Sequence, residues 1–315
     1  MALDPSPNLP PSIDPIAAQR WERLPLAASP WLHEEVARRM AERLQWITLP
    51  AQRWLHWAPS KGGMTAHALL TKQYPKSEVY VAESRTEYAQ AAIKKIAPAW
   101  WQALHWRSPK LHAGMPAEGT ANMVWANMAL HSAADPQALL TQWQRALAPQ
   151  GFLMFSCFGP DTLRELRTLY ESLGWPAPSH AFTDMHDWGD MLVHSGYAEP
   201  VMDMEHITLS FTNPARLLQE LRGLGRNLHL QRFAGLRGRA WHAQLQAELA
   251  QALAQSSPAE TLAGAAKGQA NSAPLQLSFE IIYGHALKAA PRVRVSEHSA
   301  VSLADMRAML QAGKA

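Results

Sequence analysis

A doubly wound, mostly parallel α/β sheet is the fold this sequence predicts. Between residues 50 and 175, short apolar segments of strand length alternate with amphipathic segments of helix length. That alternation is the pattern of parallel strands joined by crossover helices. Turn-forming residues punctuate the alternation, as in Pro59-Ser60-Lys61-Gly62-Gly63. In such sheets ligands bind beyond the C-terminal ends of the strands, where strand order reverses.

The elements come in order along the chain. Leu32, Val36, Met40 and Leu44 recur every four residues among charged neighbours, so Trp31–Leu44 is expected as an amphipathic helix starting at Ser29-Pro30. Strands are expected at 53–57, 78–82, 110–113, 123–126 and 151–156. Helices are expected at 64–73, 86–96 and 136–147, the last with Asp135 as its N-cap and Pro136 at its first position. A further helix over 162–173 opens with Thr162-x-x-Glu165, a capping-box pattern, and closes at Gly174. Beyond it, 200–211 and 275–285 read as two long antiparallel strands. Helical stretches at 214–223 and 239–253 lie between them. Residues 256–274 are small and polar and read as a flexible loop. The tail is flexible apart from a short helix at 302–311.

Composition bounds the class. Hydrophobic residues make up 47% and charged residues 17%, the balance of a folded globular chain and not of a disordered one. Residues 1–29 are expected as a disordered leader; five prolines within Met1–Pro15 and no apolar run argue against a signal peptide. The folded domain is expected over 30–290, with a helical insertion at about 213–274 and a flexible tail at 291–315. Cys157 is the single cysteine, which excludes an intrachain disulfide framework and a multi-cysteine zinc site. No metal and no membrane span are expected, and a reducing cytoplasm fits.

Charge is mild overall, +3, but concentrated locally. Between Asn213 and His242 six arginines (216, 222, 226, 232, 237 and 239) face one acid, Glu220. Such a segment attracts an acidic protein or a phosphorylated ligand. Few aromatics interleave it, so nucleic acid is not the expected partner.

Several positions carry chemistry. Gly62 and Gly63 stand in the turn after the first strand, where glycine lets a backbone approach a ligand. Glu83 ends the second strand, where two carboxylate oxygens suit a ribose diol. As a lone residue it is equally a surface acid. Asn127 ends the fourth strand and either lines the mouth of the sheet or forms a turn. Arg164 and Arg167 share a helix face and suit a carboxylate, or a solvated surface. His186 and His285 are acid–base candidates among fourteen histidines. HExxH, GxSxG and Walker A sequences are absent.

Taken together, these blocks resemble a known family. Gly159-Pro160-Asp161-Thr162-Leu163-x-Glu165-Leu166-Arg167 is the first block. Phe182-x-Asp184-Met185-His186-Asp187-x-Gly189-Asp190, Pro200-Val201-Met202-Asp203 and Tyr283-Gly284-His285-Ala286 are the others. They resemble the malonyl-acyl-carrier-protein O-methyltransferases of biotin synthesis, as do Trp125-Ala126-Asn127-Met128-x-Leu130 and Pro149-x-Gly151. The resemblance implies a seven-stranded, Rossmann-like class I methyltransferase fold with an inserted Arg-rich helical lobe. It implies S-adenosylmethionine as cofactor, held by Glu83, Gly62, Gly63 and Asn127. It also implies methyl transfer to the free carboxylate of a malonyl thioester on an acidic acyl carrier protein. Arg164, Arg222, Arg226, His186 and Tyr283 are the substrate-side candidates.

The chain departs from the family pattern at the cofactor turn. His56 stands where the family has an aspartate, and Ala58, Pro59 and Ser60 lie across the early glycines of its Gly-x-Gly-x-Gly turn, where only Gly62 fits. No acidic residue follows the third strand near 112–116, and the tyrosine of the N-terminal helical region is missing. Trp54 and Trp57 flank His56 and are expected to fill part of the adenosyl space. Two readings stay open on the sequence: an active but divergent methyltransferase, and an inactive relative that binds an acyl carrier or another acidic protein.

Overall fold

The computed structural model describes residues 13–97, 110–255 and 275–290. The expected loop at 256–274, the tail at 291–315 with its helix, and residues 1–12 of the leader lie outside them.

The chain forms helices α1 (Pro15–Glu22) and α2 (Trp31–Arg43), strand β1 (Arg53–Trp57), and helices α3 (Pro59–Gly62) and α4 (Ala66–Gln73). Next come β2 (Glu78–Ala82), α5 (Thr86–Ile96), β3 (Lys110–Ala113), β4 (Ala121–Ala126) and α6 (Pro136–Ala146). β5 (Leu147–Phe158), α7 (Arg164–Ser172), α8 (Met185–His194) and β6 (Tyr197–Phe211) succeed them. The last described elements are α9 (Pro214–Leu224), α10 (Arg239–Gln255) and β7 (Leu275–Lys288).

One seven-stranded sheet runs in the order β3-β2-β1-β4-β5-β7-β6. β1 to β5 pair in parallel, and β7 lies antiparallel to both β5 and β6. This is the expected fold, and it puts the order reversal between β1 and β4. Alternation along each strand builds a layer on each face. On β4, Met123 and Trp125 pack with Leu32, Val36 and Met40 of α2. Val124 and Ala126 pack with Leu140 and Trp143 of α6 and with Trp188 and Leu192 of α8.

Two local expectations are corrected. The leader contains α1, whose N-cap Asp14 accepts from the N–H groups of Ile16 and Ala17. Long-range contacts hold it: Asp14 pairs with Arg232 at 2.7 Å, and its N–H donates to the Leu228 carbonyl at 2.8 Å. The capping box does not form. The Thr162 hydroxyl donates to the Glu280 carbonyl at 3.1 Å, and Glu165 accepts from the N–H and hydroxyl of Ser278. Both side chains tie α7 to β7, because tertiary partners outcompete the local cap.

Candidate functional site

The turn after β1 is built for a tight reversal. Ala58 adopts a left-handed conformation (φ 45°), and its N–H donates to the Ala82 carbonyl at 2.7 Å. The chain then enters α3, with Pro59 at the first helical position. A helix needs no N–H donor there, so the proline fits. The Ser60 N–H donates to Glu83 Oε1 at 2.8 Å, which locks the turn to the end of β2.

Gly62 is required where it stands. A Cβ on it would lie 2.4 Å from the Asn127 carbonyl oxygen. Asn127 fastens the turn from the other side: its amide donates to the carbonyls of His33 (2.8 Å) and Gly62, and its Oδ1 accepts from the Ser156 hydroxyl at 2.6 Å. Gly63, at φ +121°, faces α2, where Ala37, Glu34 and His33 leave little room for a side chain.

Above this turn opens a cavity of about 470 Å³, within the range of small-molecule sites. Trp57, Ala58, Lys61 and Gly62 form its floor, Glu83 and Ser84 one wall, and residues 127–129 with 131–134 the other. Ala18, Trp21 and Glu22 of α1 also line it. The expectation that indoles fill this space is corrected. Trp54 is fully buried on the other face of β1, donating to the Ser77 hydroxyl at 2.9 Å. Trp57 packs edge-on against Trp143, with ring centroids 5.6 Å apart, and forms a wall.

The first cavity sets the Glu83 carboxyl of its wall against the Lys61 ammonium of its floor. Burial pushes the Glu83 carboxyl up, opposed by the Ser60 hydrogen bonds and by Lys61. Burial also pushes the Lys61 ammonium down, opposed by Glu83 and Glu22. His56 stacks on His67 at 5.8 Å, and burial drives both down, His67 to about 4. At neutral pH this pair carries no charge beneath the turn.

A second cavity of about 310 Å³ adjoins the first, and the two share Trp21, His131, Ser132 and Leu224. Phe158, Leu166, Tyr170, Phe182, Trp241 and Phe279 make it apolar. Arg222 and Arg226 bring the charge. The Arg226 guanidinium lies 5.2 Å from the Trp21 ring centroid and donates to the Gly225 carbonyl at 2.7 Å. Neither arginine has a carboxylate partner among the described residues. The rest of the basic segment is partly engaged: Arg216 pairs with Glu220, Arg232 with Asp14, and Arg237 covers the Phe233 ring.

The structure thus gathers Glu83, Gly62 and Asn127 at the first cavity and Arg222 and Arg226 at the second. Gly63 stands behind the turn. Three expected substrate residues lie outside both cavities. Arg164 is exposed and paired with Asp161 and Glu165. His186 is exposed at the start of α8, where its N–H donates to the N-cap Asp184. Tyr283 is buried beneath Arg43 and donates to Glu205 at 2.5 Å. Arg167 is spent on the carbonyls of Thr162 and Pro160, and His285 pairs in the β7 ladder. Trp21, His33 and His131 do not stand out in the sequence, where nothing but their position along the chain distinguishes them. Asp161, His206 and Glu280 bring potential ligand atoms within 4.8 Å of one another, and none of the three lines either cavity. Glu280 already accepts there from the Asp161 N–H at 2.7 Å.

No family model matches the chain. Curated relatives do. A malonyl-[acyl-carrier protein] O-methyltransferase of Gallionella capsiferriformans is 37% identical over 273 residues, covering 84% of this chain and 87% of the relative. The protein of the same name from Nitrosospira multiformis is 33% identical, with 84% and 85% covered. Among solved structures, a candidate methyltransferase of Bacillus halodurans superposes with a TM-score of 0.51 at 15% identity, over 80% of this chain and 100% of that one. The sheet order and this likeness show the class I methyltransferase fold. By sequence, the chain belongs to the malonyl-[acyl-carrier protein] O-methyltransferase family.

Proposed function

We propose that this protein methylates the free carboxylate of a malonyl thioester carried by an acyl carrier protein, with S-adenosylmethionine as donor. The observation that carries the reading is the pair of adjoining cavities. One is walled by Glu83 and floored by the β1 turn; the other is apolar and carries two arginines that have no carboxylate partner among the described residues.

S-adenosylmethionine supplies an electrophilic methyl carbon, whose bond to sulfur breaks as a carboxylate oxygen bonds to it and the sulfur keeps the electron pair. A carboxylate is already the nucleophilic form at neutral pH, so the chain needs no strong base. Positioning and water exclusion are its tasks. Glu83 offers acceptor oxygens for the ribose diol, one of them steadied by Ser60. Gly62 and Ala58 keep the floor low enough for close approach. Arg222 and Arg226 attract the acceptor's negative charge, and the apolar wall holds the thioester arm. Arg222, with Arg239 at the start of α10, also offers positive charge to an acidic carrier protein.

Among the described residues no helix is long and apolar enough to cross a membrane. A cytoplasmic location is part of the proposal, and the buried Cys157 thiol, which burial pushes up, suits a reducing compartment. Titration calorimetry with S-adenosylhomocysteine and mass spectrometry of malonyl carrier protein test the reading. Saturable heat and a methylated malonyl group are expected. No heat at millimolar ligand, or an unchanged carrier, overturns it.

A further inference from the structure

The two cavities meet at four residues, and a methyl group passing from one to the other crosses between them. Among these, Leu224 offers no hydrogen bond, and the Ser132 hydroxyl donates to the Ala129 carbonyl at 3.0 Å. His131 is different. Its Nδ1 faces the Phe158 N–H at a long 3.4 Å, so Nδ1 carries the lone pair and Nε2 the proton. That Nε2–H has no partner among the described residues, although the ring lines both cavities. The ring is also held still. Phe158 packs on it at 4.5 Å, Phe182 meets it at 6.0 Å, and the His131 carbonyl accepts from His180 Nε2 at 2.8 Å.

We propose that His131 is a substrate-binding residue whose Nε2–H donates to the acceptor carboxylate at the boundary between the cavities. The inference rests on the function proposed above and names the group that fixes the reacting end of the substrate. The donor holds one oxygen and leaves the other free to attack. Its neutrality matters: an imidazolium would pair with the carboxylate, blunt it as a nucleophile and repel the sulfonium. Burial, with His33 and His180 nearby, keeps His131 well below the ordinary histidine range. His33 approaches from α2, its Nδ1 within 2.7 Å of the Lys61 carbonyl. Its proton therefore sits on Nδ1, and it offers no competing donor to the carboxylate. Trp21 carries the other ring N–H at the boundary that has no partner among the described residues, but on α1, away from the strand ends.

His131→Phe keeps the ring shape and removes the N–H; His131→Gln keeps a donor. Binding of malonyl-pantetheine and of its methyl ester is measured by calorimetry on the full-length chain, together with S-adenosylhomocysteine. We expect His131→Phe to lose about tenfold or more in affinity for the acid. The ester and S-adenosylhomocysteine are expected to bind as before, and His131→Gln to recover most of the loss. Unchanged acid binding, an equal loss for acid and ester, or a loss that follows Trp21→Phe in place of His131→Phe overturns the inference while leaving the proposed function intact. If His131→Phe does not fold, nitrogen-labelled histidine spectra of the wild type decide. An Nε2–H signal that shifts with the acid and not with the ester supports the inference; an Nδ1–H tautomer or no shift overturns it. A wild type that binds neither the acid nor S-adenosylhomocysteine overturns the function and this inference together.

Discussion

Glu83 and Ser60 are joined at 2.8 Å, carboxylate oxygen to backbone N–H. This contact links the end of β2 to the β1 turn and places a partly buried acid beside the mouth of the sheet. Its position explains how the turn tolerates Ala58, Pro59 and Ser60. Ala58 takes the left-handed step, Pro59 starts a helical turn, and Glu83 satisfies the next N–H. The backbone route is kept while the side chains change.

Glu83→Ala is expected to weaken S-adenosylhomocysteine binding by about tenfold or more, because a charged acceptor for two hydroxyls is lost. Glu83→Gln carries a stability signature as well. Burial raises the Glu83 pKa in the folded chain, so folding favours its protonated form. The resulting cost of ionisation grows as pH rises through that range and is fully present above it. Removing the charge therefore stabilises the unliganded chain at neutral pH while donor affinity falls. Urea unfolding at pH 7.5 checks this, and a variant that is less stable contradicts it.

Gly62 and Ala58 respond in opposite directions. Gly62→Ala puts a methyl group 2.4 Å from the Asn127 carbonyl, so the turn or Asn127 must shift, at a cost of about 1–3 kcal/mol. Ala58→Gly relieves a left-handed alanine at φ 45° and is expected to stabilise by about 1 kcal/mol. Urea midpoints of the two variants are the measurement, with donor affinity falling only in Gly62→Ala.

How far the sequence reveals this molecule depends on how local the determinant is. β1, β2 and β4 follow from short apolar runs, and α6 from Asp135 and Pro136, since each signal lies within its own element. The antiparallel partnership of β6 and β7 follows from their length and place. α1 does not, because Leu228 and Arg232, over two hundred positions away, hold it. Thr162 and Glu165 mislead for a related reason: a local pattern points to a cap, and β7 takes both side chains. At the site, Glu83 and Asn127 are legible because strand ends are. His131 is one histidine among fourteen until folding places it between two cavities.

Stability is expected to fall steeply as pH drops from about 6.5 to 4. His33 and His67 are pushed down to about 4, and His56, His131 and His180 are lowered by burial as well. Within this window the unfolded chain binds protons that the folded chain refuses, so their contribution is complete above 6.5 and is lost on acidification. Glu83 runs the other way and offsets part of the slope. His67→Leu removes one refused proton and should flatten the curve by up to about 1.4 kcal/mol per pH unit. Urea midpoints at several pH values test this, and an unchanged slope contradicts it.

Arg222→Glu is expected to raise the KM for malonyl carrier protein about tenfold. S-adenosylhomocysteine affinity should stay within a factor of about two, since Arg222 lines only the second cavity. Added salt should raise the wild-type KM toward that of the variant, because exposed charges are screened. A KM that ignores both the substitution and salt contradicts the role of this arginine.

Trp21 roofs both cavities, and its helix is anchored outside the main core. Ala18 and Trp21 are the buried residues of α1, and they pack with Leu228 in a small cluster separate from the main core. Side chains hold the C-terminal end of the helix: Lys61 and Ser84 donate to the Glu22 carbonyl, and Tyr88 to that of Arg23. Such a segment opens without unfolding the sheet. Trp21→Ala should therefore leave the urea midpoint of the main transition nearly unchanged. It should speed tryptic cleavage at Arg20 and Arg23, and it should weaken S-adenosylhomocysteine binding because the first cavity loses its cover. Saturating ligand should restore protection in the wild type more than in the variant, since ligand and roof stabilise each other through shared contacts. If cleavage and affinity both match the wild type, α1 is a passive appendage and the cavity closes without it.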